Sequence, residues 1–194
     1  MTVYAAVEGI IDEAVAKRIM GYLGVRDVLV INAGGKTQLK KQIRAYSAAA
    51  RHSPWFVLAD LDSPERCPID YVREWLPDPN PQMILRFAVP AIEAWLLASR
   101  IALARYMKIS VDLITNRPEQ LPNPKLELIS LAGRSRSRRI REDMKRPDGR
   151  IGPAYAARVI EFVSHDWDIE EAMKNADSLR RCVEALRRVA HTNI

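Results

Sequence analysis

Acidic residues stand where three short apolar segments of the sequence end. Glu8 follows the first of these segments, Asp60 and Asp62 follow another, and Glu93 lies shortly after the last. A further segment of this kind leads into a glycine-rich turn that contains Lys36. If the segments are parallel strands, their carboxyl ends share one edge of a sheet. We therefore expect these carboxylates and the lysine to lie close together.

Carboxylates gathered at one edge repel one another unless a positive charge lies among them. Ligation by oxygen atoms alone is what Mg²⁺ and Mn²⁺ prefer. We therefore expect a divalent cation held by Glu8, Asp60 and Asp62. Asp12 or Glu93 would border it or complete a second metal site. Alternation along an extended chain directs Asp60 and Asp62 to the same side; the alternative is a strand that ends in an ordinary turn rich in Asp, Ser and Pro.

Four apolar, β-branched segments predict the strands that would position these residues, at 3–7, 27–31, 55–59 and 83–89. The segments between these strands have apolar residues at helical spacing, which predicts helices. A long helix is expected from Pro90 to about residue 107. The order β-α-β-α-β-α-β is typical of a parallel sheet covered on both faces. The expected fold class is therefore α/β, with about four parallel strands flanked by helices.

The pattern changes beyond residue 108, where no further strand is predicted. A proline-rich linker precedes a helical stretch, and Ser178 is expected to cap a last amphipathic helix. We therefore divide the chain into an α/β domain at 1–108 and an α-helical extension at 109–194 that packs on it. The extension includes a basic segment at 134–150.

Three motifs resemble those of the TOPRIM domain in type and in order along the chain. They are VEGIID at 7–12, DLD at 60–62 and IEAWLL at 92–97. The resemblance spans about residues 3–107 and is closest to the TOPRIM of overcoming-lysogenization-defect nucleases and to small TOPRIM-like proteins of prokaryotic defence or mobile elements. It implies a TOPRIM-like parallel sheet, bound Mg²⁺ and the cutting or joining of phosphodiester bonds.

The resemblance also assigns individual residues. The metal-binding glutamate after the first strand falls at Glu8, and the DxD pair falls at Asp60 and Asp62. The nuclease branch has a second acid one helical turn after the glutamate, which here is Asp12, a shorter side chain that equally suits the positive end of a helix. Glu93 resembles an additional acid of the later motif.

A separate glycine-rich turn precedes the second predicted helix. In it, Gly34 and Gly35 come before Lys36, so free backbone N–H groups and the lysine could together bind a phosphate. A nucleotide-binding P-loop is not indicated, because Val30 stands at the position of its first glycine. The other interpretation is a plain strand-to-helix turn with a solvated lysine.

Positive charge is concentrated in the second half of the chain. The net charge is +6, and residues 134–150 hold eight Lys and Arg against three Asp and Glu. We expect this basic segment to contact a nucleic-acid backbone without reading bases, because phosphate contacts position a protein without specifying sequence. The alternative is a charged, solvated helix or loop. The candidate residues are Arg134, Arg136, Arg138, Arg139 and Arg141.

Composition excludes several other classes of protein. Hydrophobic residues make up 48% and charged residues 28%, which excludes wholesale disorder. The longest apolar stretch, at 87–99, is broken by Pro90 and Glu93 and is shorter than the ~20 residues of a membrane span. The amino terminus lacks the features of an export signal, so we expect a cytoplasmic protein with no membrane partner. Two cysteines and three histidines fall in no zinc-binding spacing.

Together these features predict hydrolysis of nucleic acid by a TOPRIM-type nuclease that depends on Mg²⁺ or Mn²⁺, with DNA favoured over RNA. The expected catalytic residues are Glu8, Asp60, Asp62 and Lys36, and the setting is a phage-defence or mobile-element system. The alternative is a non-catalytic TOPRIM-like subunit that docks on a partner ATPase, because the related nucleases carry an ATPase in the same chain and this chain has none. The sequence leaves the oligomeric state undetermined.

Overall fold

The computed structural model describes residues 2–62 and 67–191, and side chains as far as residue 188. Four strands form one parallel sheet in the order β2-β1-β3-β4. The strands are β1 (Val3–Val7), β2 (Val28–Asn32), β3 (Trp55–Asp60) and β4 (Met83–Ala88). The predicted α/β class, with four parallel strands flanked by helices, is therefore confirmed.

The helices that connect and follow these strands are α1 (Ile10–Tyr22), α2 (Lys36–Ala49), α3 (Pro68–Trp75), α4 (Ile92–Ala98) and α5 (Arg100–Met107). The single long helix predicted from Pro90 is wrong, because the chain leaves the helical conformation at Ser99, with φ −85° and ψ 65°. The carboxylate of Glu171 explains the break. It accepts hydrogen bonds from the Ser99 hydroxyl and from the backbone N–H of Ile101, so it caps a new helix at this point.

The rest of the described chain forms helices joined by loops, with two short 3-10 turns at Val111–Leu113 and Pro118–Gln120. The helices are α6 (Pro124–Gly133), α7 (Arg138–Met144), α8 (Tyr155–His165), α9 (Ile169–Asn175) and α10 (Asp177–His191). The predicted capping role of Ser178 is wrong, because α10 begins one residue earlier and Glu119 accepts from the N–H groups of Asp177 and Ser178 instead. In the described ranges, each helix is too short or too polar to cross a membrane.

The sheet is buried on both faces, because helices cover each of them. Along β3, Phe56 and Leu58 belong to one hydrophobic core, while Val57 and Ala59 belong to the other. Helices α2 and α3 cover the second core. The first core lies under α1 and α4 and continues into the helical extension as far as Leu186. The extension therefore packs on one face of the sheet.

Candidate functional site

The carboxyl edge of the sheet brings acids from three elements into a connected group. Glu8 follows β1, Asp60 is the last residue of β3, and Glu93 lies in the first turn of α4. The backbone N–H of Asp60 donates to Oε1 of Glu8 over 2.9 Å, and Oδ1 of Asp60 accepts from the N–H of Ile92 over 2.8 Å. These contacts join the ends of β1 and β3 to the start of α4.

Two acids of this edge are almost fully buried. Asp12, in the first turn of α1, is 8% exposed and Glu93 is 5% exposed. Burial raises the pKa of Asp12 to about 7, with further contributions from the negative charges of Glu8 and Glu93. Burial also raises the pKa of Asp60 well above its ordinary value, assisted by repulsion from Asp12, Glu93 and Glu8. We call Glu8, Asp12, Asp60 and Glu93 the acidic cluster.

The pKa of Glu8 is raised as well, and burial is again the main cause. Its hydrogen bond from Asp60 and the charge of Lys36 act in the opposite direction. The negative charges of Glu8 and Glu93 therefore disfavour the charged forms of Asp12 and Asp60. A cation bound at this edge would reduce that repulsion.

Asp62 is held differently from Asp60. Strand β3 ends at Asp60, and Asp62 adopts a left-handed conformation with φ 63°. The alternation of an extended segment therefore does not continue to Asp62, contrary to the expectation from sequence. Its exposed carboxylate pairs with Lys36, with Nζ 2.5 Å from Oδ2. The same amine donates to the carbonyl oxygen of Asp60 over 2.5 Å and lies 5.1 Å from the ring centre of Tyr71.

The glycine-rich turn before α2 is already engaged in hydrogen bonds. The N–H of Gly34 donates to the side chain of Asn32 over 3.0 Å, and the N–H of Gly35 donates to the carbonyl of Glu8 over 2.9 Å. Both glycines have positive φ, which favours glycine at these two positions. These two N–H groups are therefore not free to bind a phosphate in this conformation, and such binding would depend on Lys36.

Tyr155 reaches the acidic cluster from the helical extension. It is buried, and its hydroxyl donates to Oε1 of Glu93 over 3.0 Å. Burial raises the pKa of Tyr155, as do the charges of Glu93 and Asp60. The amine of Lys125 lies 5.4 Å from the tyrosine ring centre. Glu93 lies 62 residues before Tyr155, so no local periodicity links the two residues.

The basic segment at 134–150 lies on α7 and its flanking loops. Arg138 pairs with Glu142 over 2.7 Å, and Arg139 lies 3.9 Å from a carboxylate oxygen of Asp143. The guanidinium of Arg141 donates to the carbonyl of Ser135 over 2.5 Å, which gives it a local structural role. The other candidates, Arg134 and Arg136, have exposed side chains. Acids of the same segment therefore offset part of its positive charge.

The acidic cluster has the right atoms for a hard cation, but its side chains do not converge on one. Among the side chains that the structure describes, in residues 2–62 and 67–188, no three His, Cys, Asp or Glu are arranged to hold a metal ion. One oxygen each of Glu8, Asp60 and Glu93 is engaged by a hydrogen-bond donor of the protein. Carboxylate oxygen is nevertheless the donor that Mg²⁺ and Mn²⁺ prefer. The fit therefore lies in the chemistry of the donors and requires some rotation of their side chains.

Comparison with known proteins adds no assignment. The chain matches no protein-family model, no curated protein and no solved structure.

Proposed function

We propose that this protein is a phosphodiesterase that acts on nucleic acid and depends on Mg²⁺ or Mn²⁺. The observation that supports the proposal is the acidic cluster itself. Four carboxylates from separate elements lie at the carboxyl edge of a parallel sheet, where ligands of such folds bind. Carboxylates with perturbed pKa values cluster at functional sites, where catalysis and binding require them.

In this function Glu8, Asp60 and Asp62 would hold the cation, and Asp12 or Glu93 would border it or complete a second site. A cation held there would supply activation of a water molecule and stabilisation of the leaving oxygen. Glu8 is suited to accept or return a proton, because its raised pKa lies nearer to the working pH than that of an ordinary glutamate.

Lys36 supplies the positive charge that faces the phosphate. Its amine already lies at this edge, against the carbonyl of Asp60 and the carboxylate of Asp62. From this position the amine would stabilise the negative charge that grows on the phosphate in the transition state.

Nucleic acid is the substrate favoured by the distribution of charge. The net charge of +6 and the exposed arginines of the basic segment suit a polyanion, and DNA is proposed before RNA. The order of the motifs at Glu8, Asp60 and Glu93 supports a TOPRIM-like nuclease of a phage-defence or mobile-element system.

A second candidate function is a non-catalytic TOPRIM-like subunit that docks on a partner ATPase. The ion pair between Lys36 and Asp62 favours it, because this pair satisfies the carboxylate without a metal. The arrangement of the acidic side chains, which do not converge on one position, also favours this function. In that function, the acidic cluster would bind a cation weakly or not at all.

A cleavage assay with a matched pair of variants tests the proposal. Plasmid DNA, single-stranded DNA and RNA are each incubated with the protein in Mg²⁺, in Mn²⁺ and in EDTA. We expect cleavage that requires the metal, its loss in Asp60→Asn, and its retention in Asp70→Asn, which removes an exposed carboxylate on α3. Absence of both cleavage and Mn²⁺ binding in the wild-type protein would favour the docking subunit.

A further inference from the structure

Strand β2 is the least covered strand of the sheet. It stands at one end of the strand order, with β1 on one side and no described strand on the other. Its side chains Leu29 and Ile31 are 51% and 39% exposed, whereas Trp55 and Val57, at the same level of β3, are 8% and 0% exposed. β2 therefore presents an exposed apolar face beside an open edge.

The pairing with β1 determines which backbone groups of β2 point outward. The N–H of Val3 donates to the carbonyl of Asp27, and the N–H of Ala33 donates to the carbonyl of Val7, each over 2.9 Å. Successive residues of a strand direct their backbone groups to opposite sides, so every second residue between Asp27 and Ala33 faces away from β1. Among the described residues, nothing bonds to the outward backbone groups. The residues that carry these groups are Val28, Val30 and Asn32.

This edge lacks the features that usually prevent strands from pairing. Proteins protect their edge strands with charged side chains, with proline or with a bulge. The β2 sequence VLVIN has no charged residue and no proline, and it pairs with β1 residue for residue, without a bulge. The nearest acid, Asp27, accepts a hydrogen bond from the hydroxyl of Thr2, which precedes β1. An exposed apolar edge of this kind is a site for pairing with a further strand.

We propose that β2 pairs with β2 of a second copy of this chain, antiparallel and centred on Val30. A two-fold axis through Val30 would place Val28 of one copy opposite Asn32 of the other, so the outward N–H and C=O groups would bond to each other. Leu29 would face Ile31 of the second copy, and the exposed apolar side chains would cover one another. The four strands of each copy would then form one continuous sheet. This inference does not depend on the proposed function.

A second copy suits this edge because its features are symmetric about Val30. Only a slide of two residues would again bring outward groups opposite outward groups, since a slide of one turns each side chain to the wrong face. A slide of two places Ile31 opposite Asp27 in one direction. In the other direction it places Val28 opposite Gly34, where the chain turns with φ 74°. The register centred on Val30 instead brings apolar residues together and leaves no like charges opposite each other.

Sedimentation velocity at increasing protein concentration tests the inference. We expect a wild-type dimer that dissociates on dilution, because a five-residue edge is smaller than the interface of a permanent dimer. The variant with both Leu29→Lys and Ile31→Lys brings lysines opposite lysines, so its dimerisation should be about 100-fold weaker. The matched control combines Ile101→Lys and Leu126→Lys, which replace side chains that are 60% and 57% exposed on α5 and α6, and should dimerise as the wild type does.

A wild-type protein that stays monomeric at the highest concentration would overturn the inference, and so would equal dimerisation of the lysine variant. Oligomers that grow beyond a dimer would also overturn it, because they would indicate that β2 pairs with the other edge strand, β4. Val30→Pro is an independent variant. It removes an outward N–H that β1 does not use, a change that edge strands tolerate, and the folded variant should be monomeric.

A mixture of oppositely charged variants shows whether β2 faces β2. The variant with both Leu29→Glu and Ile31→Glu should be monomeric alone, for the same reason as the lysine variant. Mixed together, the two variants should form a heterodimer, because each introduced lysine would lie opposite an introduced glutamate. Absence of the heterodimer, when circular dichroism shows both variants folded, would overturn the inference.

Discussion

The backbone N–H of Asp60 donates a 2.9 Å hydrogen bond to the carboxylate of Glu8. The bond runs between the residue after β1 and the last residue of β3, which are neighbouring strands of the sheet. It holds the Glu8 side chain across the carboxyl edge, while Asp60 itself accepts from the N–H of Ile92 at the start of α4. Substitutions in this chain of contacts should therefore separate the charge of a carboxylate from its role as a hydrogen-bond acceptor.

Asp60→Asn is expected to abolish metal-dependent cleavage while leaving the fold intact or more stable. The amide oxygen of asparagine can still accept from Ile92, and removal of the negative charge relieves the repulsion from Asp12, Glu93 and Glu8. Urea unfolding of the metal-free protein measures the second effect, and we expect an equal or greater free energy of unfolding. A variant that fails to fold would instead assign Asp60 a structural role.

Asp12 should make the metal-free protein less stable as the pH rises. Its pKa in the folded protein is about 7, compared with an ordinary value of 3.8 that applies to the unfolded chain. The folded state therefore binds the Asp12 proton more tightly than the unfolded chain does. The stabilisation that this proton provides is fully present below about pH 4 and is lost as the pH rises through 7. The free energy of unfolding, measured across this range, should fall less steeply in Asp12→Asn than in the wild type.

The same pH series with Asp70→Asn provides the control, because Asp70 lies exposed on α3. That variant should keep the wild-type slope. Mn²⁺ at neutral pH should restore stability to the wild-type protein, since a ligand that binds only the folded state stabilises it. Equal slopes in Asp12→Asn and the wild type would show that Asp12 does not carry the effect.

Lys36→Ala is expected to lower the rate of cleavage, by on the order of 100-fold, more than it lowers Mn²⁺ affinity. The amine would contact the phosphate most strongly in the transition state, so its removal reduces kcat rather than metal binding. Lys40→Ala is the matched control, because Lys40 lies one helical turn later on α2 and pairs with Glu74 over 2.7 Å. A similar decrease of activity in both variants would exclude a specific role for Lys36.

The basic segment is tested by neutralising its exposed arginines together. A variant with Gln at Arg134, Arg136, Arg138 and Arg139 should bind nucleic acid more weakly regardless of sequence, and its affinity should depend less steeply on salt. The slope of log affinity against log salt should fall by about one for each phosphate that the variant no longer binds. Arg141 is left unchanged because it donates to the backbone of Ser135. Substitution of Arg180 and Arg181 on α10 controls for the loss of exposed positive charge outside the segment, and an unchanged slope in the test variant would assign the segment to solvation.

Much of the architecture follows from local patterns in the sequence. Apolar, β-branched segments predicted four strands, and their alternation with helices predicted a parallel sheet, because a sheet buried on both faces requires such segments throughout. Parallel strands place their carboxyl ends at one edge. The sequence alone therefore located Glu8, Asp60 and Glu93 at that edge, although it left their ligand and function as proposals.

Contacts between distant residues decided what the local patterns left open. Glu171 divides the helix expected after Pro90, and Tyr155 reaches Glu93 from the helical extension. Asp62 turns away from the extended path of β3 and pairs with Lys36, 26 residues earlier. Each outcome depends on a hydrogen bond or ion pair whose partners share no periodicity, and such a bond forms only once packing has brought its two ends together. Local propensity and hydrophobic pattern do not indicate which distant residues will pair.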